Sequence, residues 1–123
     1  MRVIIAGSRH MQTADYPLIG QAVSASGFTP TEIVSGMAPG ADTLGMAWAV
    51  ANNLPIKKFP ADWKRYGRAA GPIRNSQMRD YAQALIVLIW ANSRGSLNML
   101  LQMQKAGKPI FAVPDGDLQR AYK

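Results

Sequence analysis

Five short apolar runs, separated by stretches with helical periodicity, constrain this chain more than any other feature. Arg2 to Ala6 (R-V-I-I-A) is β-branched and ends at Gly7, and Glu32 to Ser35 (E-I-V-S) ends at Gly36. Ile56 to Phe59 and Pro109 to Val113 are two more. Ala84 to Trp90 (A-L-I-V-L-I-W) is the most apolar of the five and reads as a central strand buried on both faces. Between them, Pro17 to Gly27 carries Leu18, Ile19, Ala22 and Val23 on one stripe. Ala41 to Asn53 places Leu44, Ala47, Trp48 and Ala51 at i, i+3, i+4 and i+7. A third helix is expected to start near Pro72, because proline is tolerated in a first turn, and Ser96 to Ala106 is a fourth, closed by Gly107. This alternation predicts right-handed crossovers and a mostly parallel five-stranded sheet covered on both faces, a three-layer α/β/α sandwich.

A chain of 123 residues, 48% hydrophobic, builds one domain without disulfide or metal staples. Cysteine is absent, which excludes disulfides, thiolate nucleophiles and Cys-based zinc sites, and the single histidine, His10, assembles no cluster and is assigned no chemistry. The apolar run before Gly7 is too short for a signal peptide and no run approaches the ~18 apolar residues of a membrane span, so a soluble cytoplasmic protein is expected, with no membrane partner. The formal net charge of +7 favours anionic partners. The charge is uneven: Lys64, Arg65, Arg68, Arg74 and Arg79 fall within sixteen positions that hold no acidic residue.

In a parallel sheet of this kind ligands bind beyond the carboxyl ends of the strands, near the point where strand order reverses. Three glycine-containing turns fall there. Gly7-Ser8-Arg9 brings backbone N–H groups and a guanidinium to where a phosphate would sit, although a glycine after a strand is equally an ordinary turn. Ser35 to Asp42 (S-G-M-A-P-G-A-D) opens a helix N-terminus that favours an anion; it contributes Ser35, Gly36, Met37 and Gly40, with Asp42 serving either a ribose or the helix start itself. Asn92 to Ser96 (N-S-R-G-S) offers Ser93, Gly95 and Ser96 to phosphate or to plain capping. None of these is the G-x-G-x-x-G fingerprint or a P-loop, which argues against a conventional NAD dehydrogenase or a kinase-like NTPase. Met99 and Met103, at helical spacing, are expected in the core or a subunit contact.

The remaining segment, F-P-A-D-W-K-R-Y-G-R-A-A-G-P-I-R-N-S-Q-M from Phe59 to Met78, is the most specific. With G-S-R, S-G-M-A-P-G-A-D and S-R-G-S it resembles the YspA and YpsA-related branch of the SLOG superfamily, a Rossmann-like group that includes the "lonely guy" phosphoribohydrolases. The resemblance covers nearly the whole chain. It implies a pocket at the C-terminal edge of the sheet for a nucleotide or nucleotide-derived ligand, of the ADP-ribose or NAD-derived type. The resemblance further implies that the segment is a lid over that pocket, in which Trp63 and Tyr66 would offer aromatic faces, Gly67 and Gly71 would let the backbone close, and Arg74 with Asn75 would meet phosphate or ribose.

Arg74 to Met78 (R-N-S-Q-M) is similar to the R-K-x-x-M run of the lonely guy enzymes, whose arginine is catalytic. Their second catalytic residue is a glutamate, and the same alignment puts Met99 in its place, with no acid between Tyr81 and Pro114. Glycosidic cleavage needs a carboxylate, so an enzyme would have to use Arg74 with Asp42, or with Asp62. Met37 stands where the family commonly has glycine. The expected function is therefore a nucleotide-binding or sensing module with no certain cofactor and no metal. A nucleotide N-glycosidase is the alternative, and a nucleic-acid-binding domain, prompted by the charge and by the superfamily's DNA-processing member, is a third. As a lid residue facing an anion, Arg74 is expected to be replaceable by alanine with little loss of stability. Met46 and Val50, off the main stripe of their helix, point to a homodimer.

Overall fold

A computed structural model describes residues 1–90 and 93–114. Its strands are β1 (Arg2–Gly7), β2 (Glu32–Ser35), β3 (Ile56–Lys58), β4 (Ala84–Ile89) and β5 (Ile110–Pro114); its helices are α1 (Pro17–Ser26), α2 (Ala41–Ala51), α3 (Trp63–Tyr66), α4 (Ala70–Tyr81) and α5 (Arg94–Lys105). The strands form one sheet in the order β3-β2-β1-β4-β5, and every pairing is parallel. No described helix is long and apolar enough to cross a membrane.

The period-2 alternation of strand side chains sorts the core into two halves. Val3, Ile5, Ile33, Ile86 and Leu88 pack with Ile19, Ala22 and Val23 of α1 and with Ala41, Leu44 and Ala49 of α2. Ile4, Ala6, Val34, Leu85 and Val87 face the other way, onto Met78 of α4 and Met99 and Met103 of α5. The result is a Rossmann-like α/β/α sandwich. Central β4 is wholly buried from Ala84 to Leu88, so truncating Leu85 or Ile86 to alanine costs about 2–5 kcal/mol.

The structure differs from the sequence reading in three places. The segment after β3 holds a helical turn that the sequence did not announce: Trp63 to Tyr66 makes one turn whose N-cap Asp62 accepts from the Arg65 N–H at 3.1 Å, followed by a 3₁₀ turn over Gly67–Ala69. Helix α4 then begins at Ala70, so Pro72 is its third residue, where a missing N–H still costs no internal bond. Helix α5 begins at Arg94, not Ser96. Helix α2 buries Ala41, Leu44, Gly45 and Ala49, with Trp48 partly buried, and leaves Ala47 and Ala51 exposed. Small residues at 41, 45 and 49 let it press on β1, since a methyl on Gly45 would stand 2.8 Å from Ile5 Cγ2.

Candidate functional site

Strands β1 and β4 run side by side as far as Gly7 and Leu88, and Ser8 N–H closes the ladder on the Leu88 carbonyl at 3.0 Å. A methyl on Gly7 would lie 2.4 Å from that carbonyl oxygen, so only glycine lets the strands end this close together. Beyond them the chain leaves in opposite directions, to α1 on one face and α5 on the other. The crevice at this switch point is a cavity of about 450 Å³. Gly7 lines it from the end of β1 and Arg9 from the turn that follows, Asp42 from α2, Trp63 and Gly71 from the α3–α4 segment, Arg74 and Asn75 from α4, and Ser93, Gly95 and Ser96 from the start of α5.

Arg74 and Asp42 meet at Gly36. A methyl there would stand 2.6 Å from Arg74 Nη1 and 2.9 Å from Asp42 Oδ2, so the bare backbone is what admits both. Arg74 Nη1 donates to the Gly36 carbonyl and Nε to Asn75 Oδ1 at 3.0 Å, while Asp42 Oδ2 accepts from the Ala38 N–H at 3.1 Å. The two charges influence each other without forming a contact ion pair: among the described residues the ion pair is Arg79 with Asp80. Burial pushes the Asp42 carboxyl up to about 6, against the opposing effects of the Ala38 N–H, Arg74 and Arg9. Burial also lowers the Arg74 guanidinium from its ordinary value, with Asp42 opposing and Arg9 reinforcing.

Asn75 is buried, and its amide is engaged within the protein. Its Nδ2 donates to the Gly95 carbonyl at 3.2 Å and to Asn98 Oδ1 at 3.0 Å, and its Oδ1 holds Arg74. One side chain therefore ties the arginine of α4 to the first turn of α5. Ser93, the N-cap of α5, makes no capping bond, and its buried Oγ has no partner among the described residues. An acceptor bound in the cavity near the α5 N-terminus would satisfy it.

Other residues expected at the site take different places. Ser8 and Ser35 are buried, and their hydroxyls accept from His10 N–H and Met37 N–H, each at 3.1 Å. Gly40 shapes the loop: its φ is 82°, and a methyl there would meet Ser8 O at 2.2 Å. Asp62 caps α3, and Tyr66 is exposed beyond the cavity lining, with the Arg65 guanidinium 5.1 Å from its ring centre. Gly36 and Met37 line a smaller neighbouring cavity. Asn92 lies outside the described residues.

Three polar lining residues, Arg68, Arg94 and Asn98, were missed as site residues in the sequence reading. Arg94 and Asn98 carried a signal, being spaced i, i+4 with Gln102 one turn further along α5. Arg68 lay in a run of cations and could not be told from its neighbours. The apolar part of the wall includes Met78 and Met99, so the position of the missing glutamate faces the cavity with a thioether. No group of three His, Cys, Asp or Glu able to hold a metal occurs among the described residues.

A model of the YspA, cpYpsA-related SLOG family matches residues 1–66. The Gene 61 protein of Mycobacterium phage D29 is 30% identical over 122 residues, covering 93% of this chain and 97% of its own. The X-ray structure of DNA processing protein A from Streptococcus pneumoniae is similar with a TM-score of 0.74 at 22% identity. That likeness covers 95% of this chain and 51% of the other, so the chain spans about half that protein's length and the likeness is one of fold.

Proposed function

The chain belongs to the YspA, cpYpsA-related SLOG family, and from that premise we propose that it binds a nucleotide or nucleotide-derived ligand, of the ADP-ribose or NAD-derived type, as a binding or sensing module. The observation that carries this is the charge of the main cavity: among the described residues Arg9, Arg68, Arg74 and Arg94 line it against one carboxylate, Asp42. Guanidinium groups recognise phosphate by paired charge-assisted hydrogen bonds, and the α5 N-terminus adds N–H groups and the Ser93 hydroxyl, which has no partner among the described residues. Asp42, which lines the same cavity, would accept from ribose hydroxyls, and Trp63 with Met78 and Met99 would supply apolar surface. A volume of about 450 Å³ is within the usual range for small-molecule sites. Native mass spectrometry of the protein as purified is expected to show a retained nucleotide mass. A bare-chain mass, together with no calorimetric signal for AMP, ADP or ADP-ribose at millimolar concentration, overturns the reading.

Asp42 favours a second reading, nucleotide N-glycosidase. A buried carboxylate raised to about 6 beside an arginine is suited to stabilise an oxocarbenium-like centre or to activate water, and it would stand in for the missing glutamate. Release of free base from a nucleoside monophosphate, abolished in Asp42→Asn, is the test. A third reading, single-stranded nucleic-acid binding, draws on exposed Trp63 and Tyr66 beside Lys64 and Arg65, and on the fold shared with a DNA processing protein. It requires an affinity that falls steeply with salt. Exposed Val50 on α2 supports a homodimer; light scattering that gives a monomer mass at tens of micromolar would exclude one.

A further inference from the structure

Building on the nucleotide-binding reading, we propose that the smaller cavity is a separate subsite for a flat aromatic ring, the base of the ligand, and that Met37 sets its specificity. This cavity, about 250 Å³, is walled by Met37, Pro39, Pro60, Ala61 and Trp63 and has no carboxylate among the described residues that line it. Rigid pyrrolidine rings, an indole and a thioether make a surface that favours a planar apolar face over a sugar or a phosphate. Arg9 and Arg74 belong to the walls of both cavities. A base in the smaller one would thus be joined, through ribose and phosphate at these two arginines, to whatever occupies the larger.

Met37 carries the second part of the argument. It has φ 63°, the left-handed region that a side chain with a Cβ disfavours, and is one of two non-glycine residues so placed among those described. The peptide that precedes it is held at both of its polar groups, since the Met37 N–H donates to Ser35 Oγ and the Gly36 carbonyl receives Arg74. Its side chain is 41% exposed, so core packing does not account for the strained conformation. Glycine would hold the same turn without strain. What methionine adds is a thioether on the cavity wall, a polarisable surface for an aromatic ring.

Calorimetry and thermal melts of wild type, Met37→Gly and Ala61→Leu, with AMP and ribose 5-phosphate as probes, test this. Wild type is expected to bind AMP on the order of tenfold more tightly than ribose 5-phosphate. Met37→Gly should melt higher than wild type and lose most of that preference while keeping its ribose 5-phosphate affinity. Ala61→Leu, which fills the cavity without touching the turn, should lose the preference too. Equal binding of the two probes by wild type, or a preference that survives both substitutions, overturns the subsite and leaves the nucleotide-binding reading standing. Failure of wild type to bind either probe overturns the subsite, and the nucleotide-binding reading falls with it when ADP and ADP-ribose also give no signal and the purified chain carries no nucleotide.

Discussion

Arg74 donates to the backbone carbonyl of Gly36, so the guanidinium that lines the cavity is also a tie between α4 and the loop after β2. The sequence reading expected a lid residue whose removal spares stability. These bonds lead to a different expectation for stability, because a half-buried arginine that bonds Gly36 and Asn75 leaves both partners short when it is lost. Arg74→Ala is expected to cost about 1–3 kcal/mol of stability and, in the folded fraction, about 1.5–3 kcal/mol of phosphate-ligand binding. Thermal melts and calorimetric titration separate the two effects. Normal affinity in the folded fraction would make Arg74 a structural tie alone.

Asp42 gives a pH prediction with a definite sign. Burial pushes its carboxyl up to about 6 in the folded chain from an ordinary value of 3.8, so the folded state holds the proton more tightly than the unfolded one. Such a group is stabilising when protonated, and that contribution is lost as pH rises from about 4 through about 6. The full difference is about 3 kcal/mol. Asp42→Asn keeps an acceptor for the Ala38 N–H and removes the buried charge. It is expected to raise stability at pH 7.5, change little near pH 4, and flatten the profile between. Denaturant melts across that range check it; a variant less stable than wild type at pH 7.5 would mean that Arg74 and Arg9 outweigh desolvation.

The layers were legible because strand periodicity is a local signal: R-V-I-I-A and A-L-I-V-L-I-W each state their own burial. The turns at Gly7, Gly36 and Gly95 were legible for a similar reason, since the strand order brings the carboxyl ends of the strands to one edge. Side-chain destinations within those turns were not legible. Ser8 and Ser93 look alike in sequence, yet one hydroxyl accepts from His10 N–H while the other has no partner among the described residues. The buried face of α2 was misjudged because small residues at 41, 45 and 49 weigh little in a hydrophobic stripe, although they allow the closest approach to β1. Asn98 reaches the site only because α4 and α5 pack side by side, a contact that no local pattern announces.

Gly40 and Gly27 both have positive φ, 82° and 74°, and differ in what surrounds them. At Gly27, the C-cap of α1, an added methyl meets nothing within 4 Å, so Gly27→Ala is expected to cost only the backbone term of about 1–2 kcal/mol. At Gly40 the same methyl would lie 2.2 Å from Ser8 O and 2.6 Å from Arg9 Cα, and backbone has to move. Gly40→Ala is expected to destabilise more than Gly27→Ala and, by displacing Arg9, to weaken anion binding, which Gly27→Ala leaves unchanged. Equal losses of stability in the two variants would show that the loop after β2 yields without strain.

Asn75→Asp asks whether the buried amide works as a donor. The aspartate is nearly the same shape and keeps an acceptor for Arg74 Nε. Where the amide donated to the Gly95 carbonyl and to Asn98 Oδ1, it sets a carboxylate oxygen against two other oxygens. At neutral pH the variant is expected to lose at least about 1–3 kcal/mol, the cost of buried polar groups left unpaired. Protonation restores one donor, so the new carboxyl should have a raised folded-state pKa and part of the loss should be recovered on acidification toward about pH 5. Asn75→Ala removes donor and acceptor together and has no titrating group, so its loss should not shrink in that way. Parallel melts of the two variants against wild type, at neutral and acid pH, decide it: a deficit in Asn75→Asp that is the same at both would mean that Arg74 holds the new carboxylate ionised, and that the contact with Arg74 outweighs the link to α5.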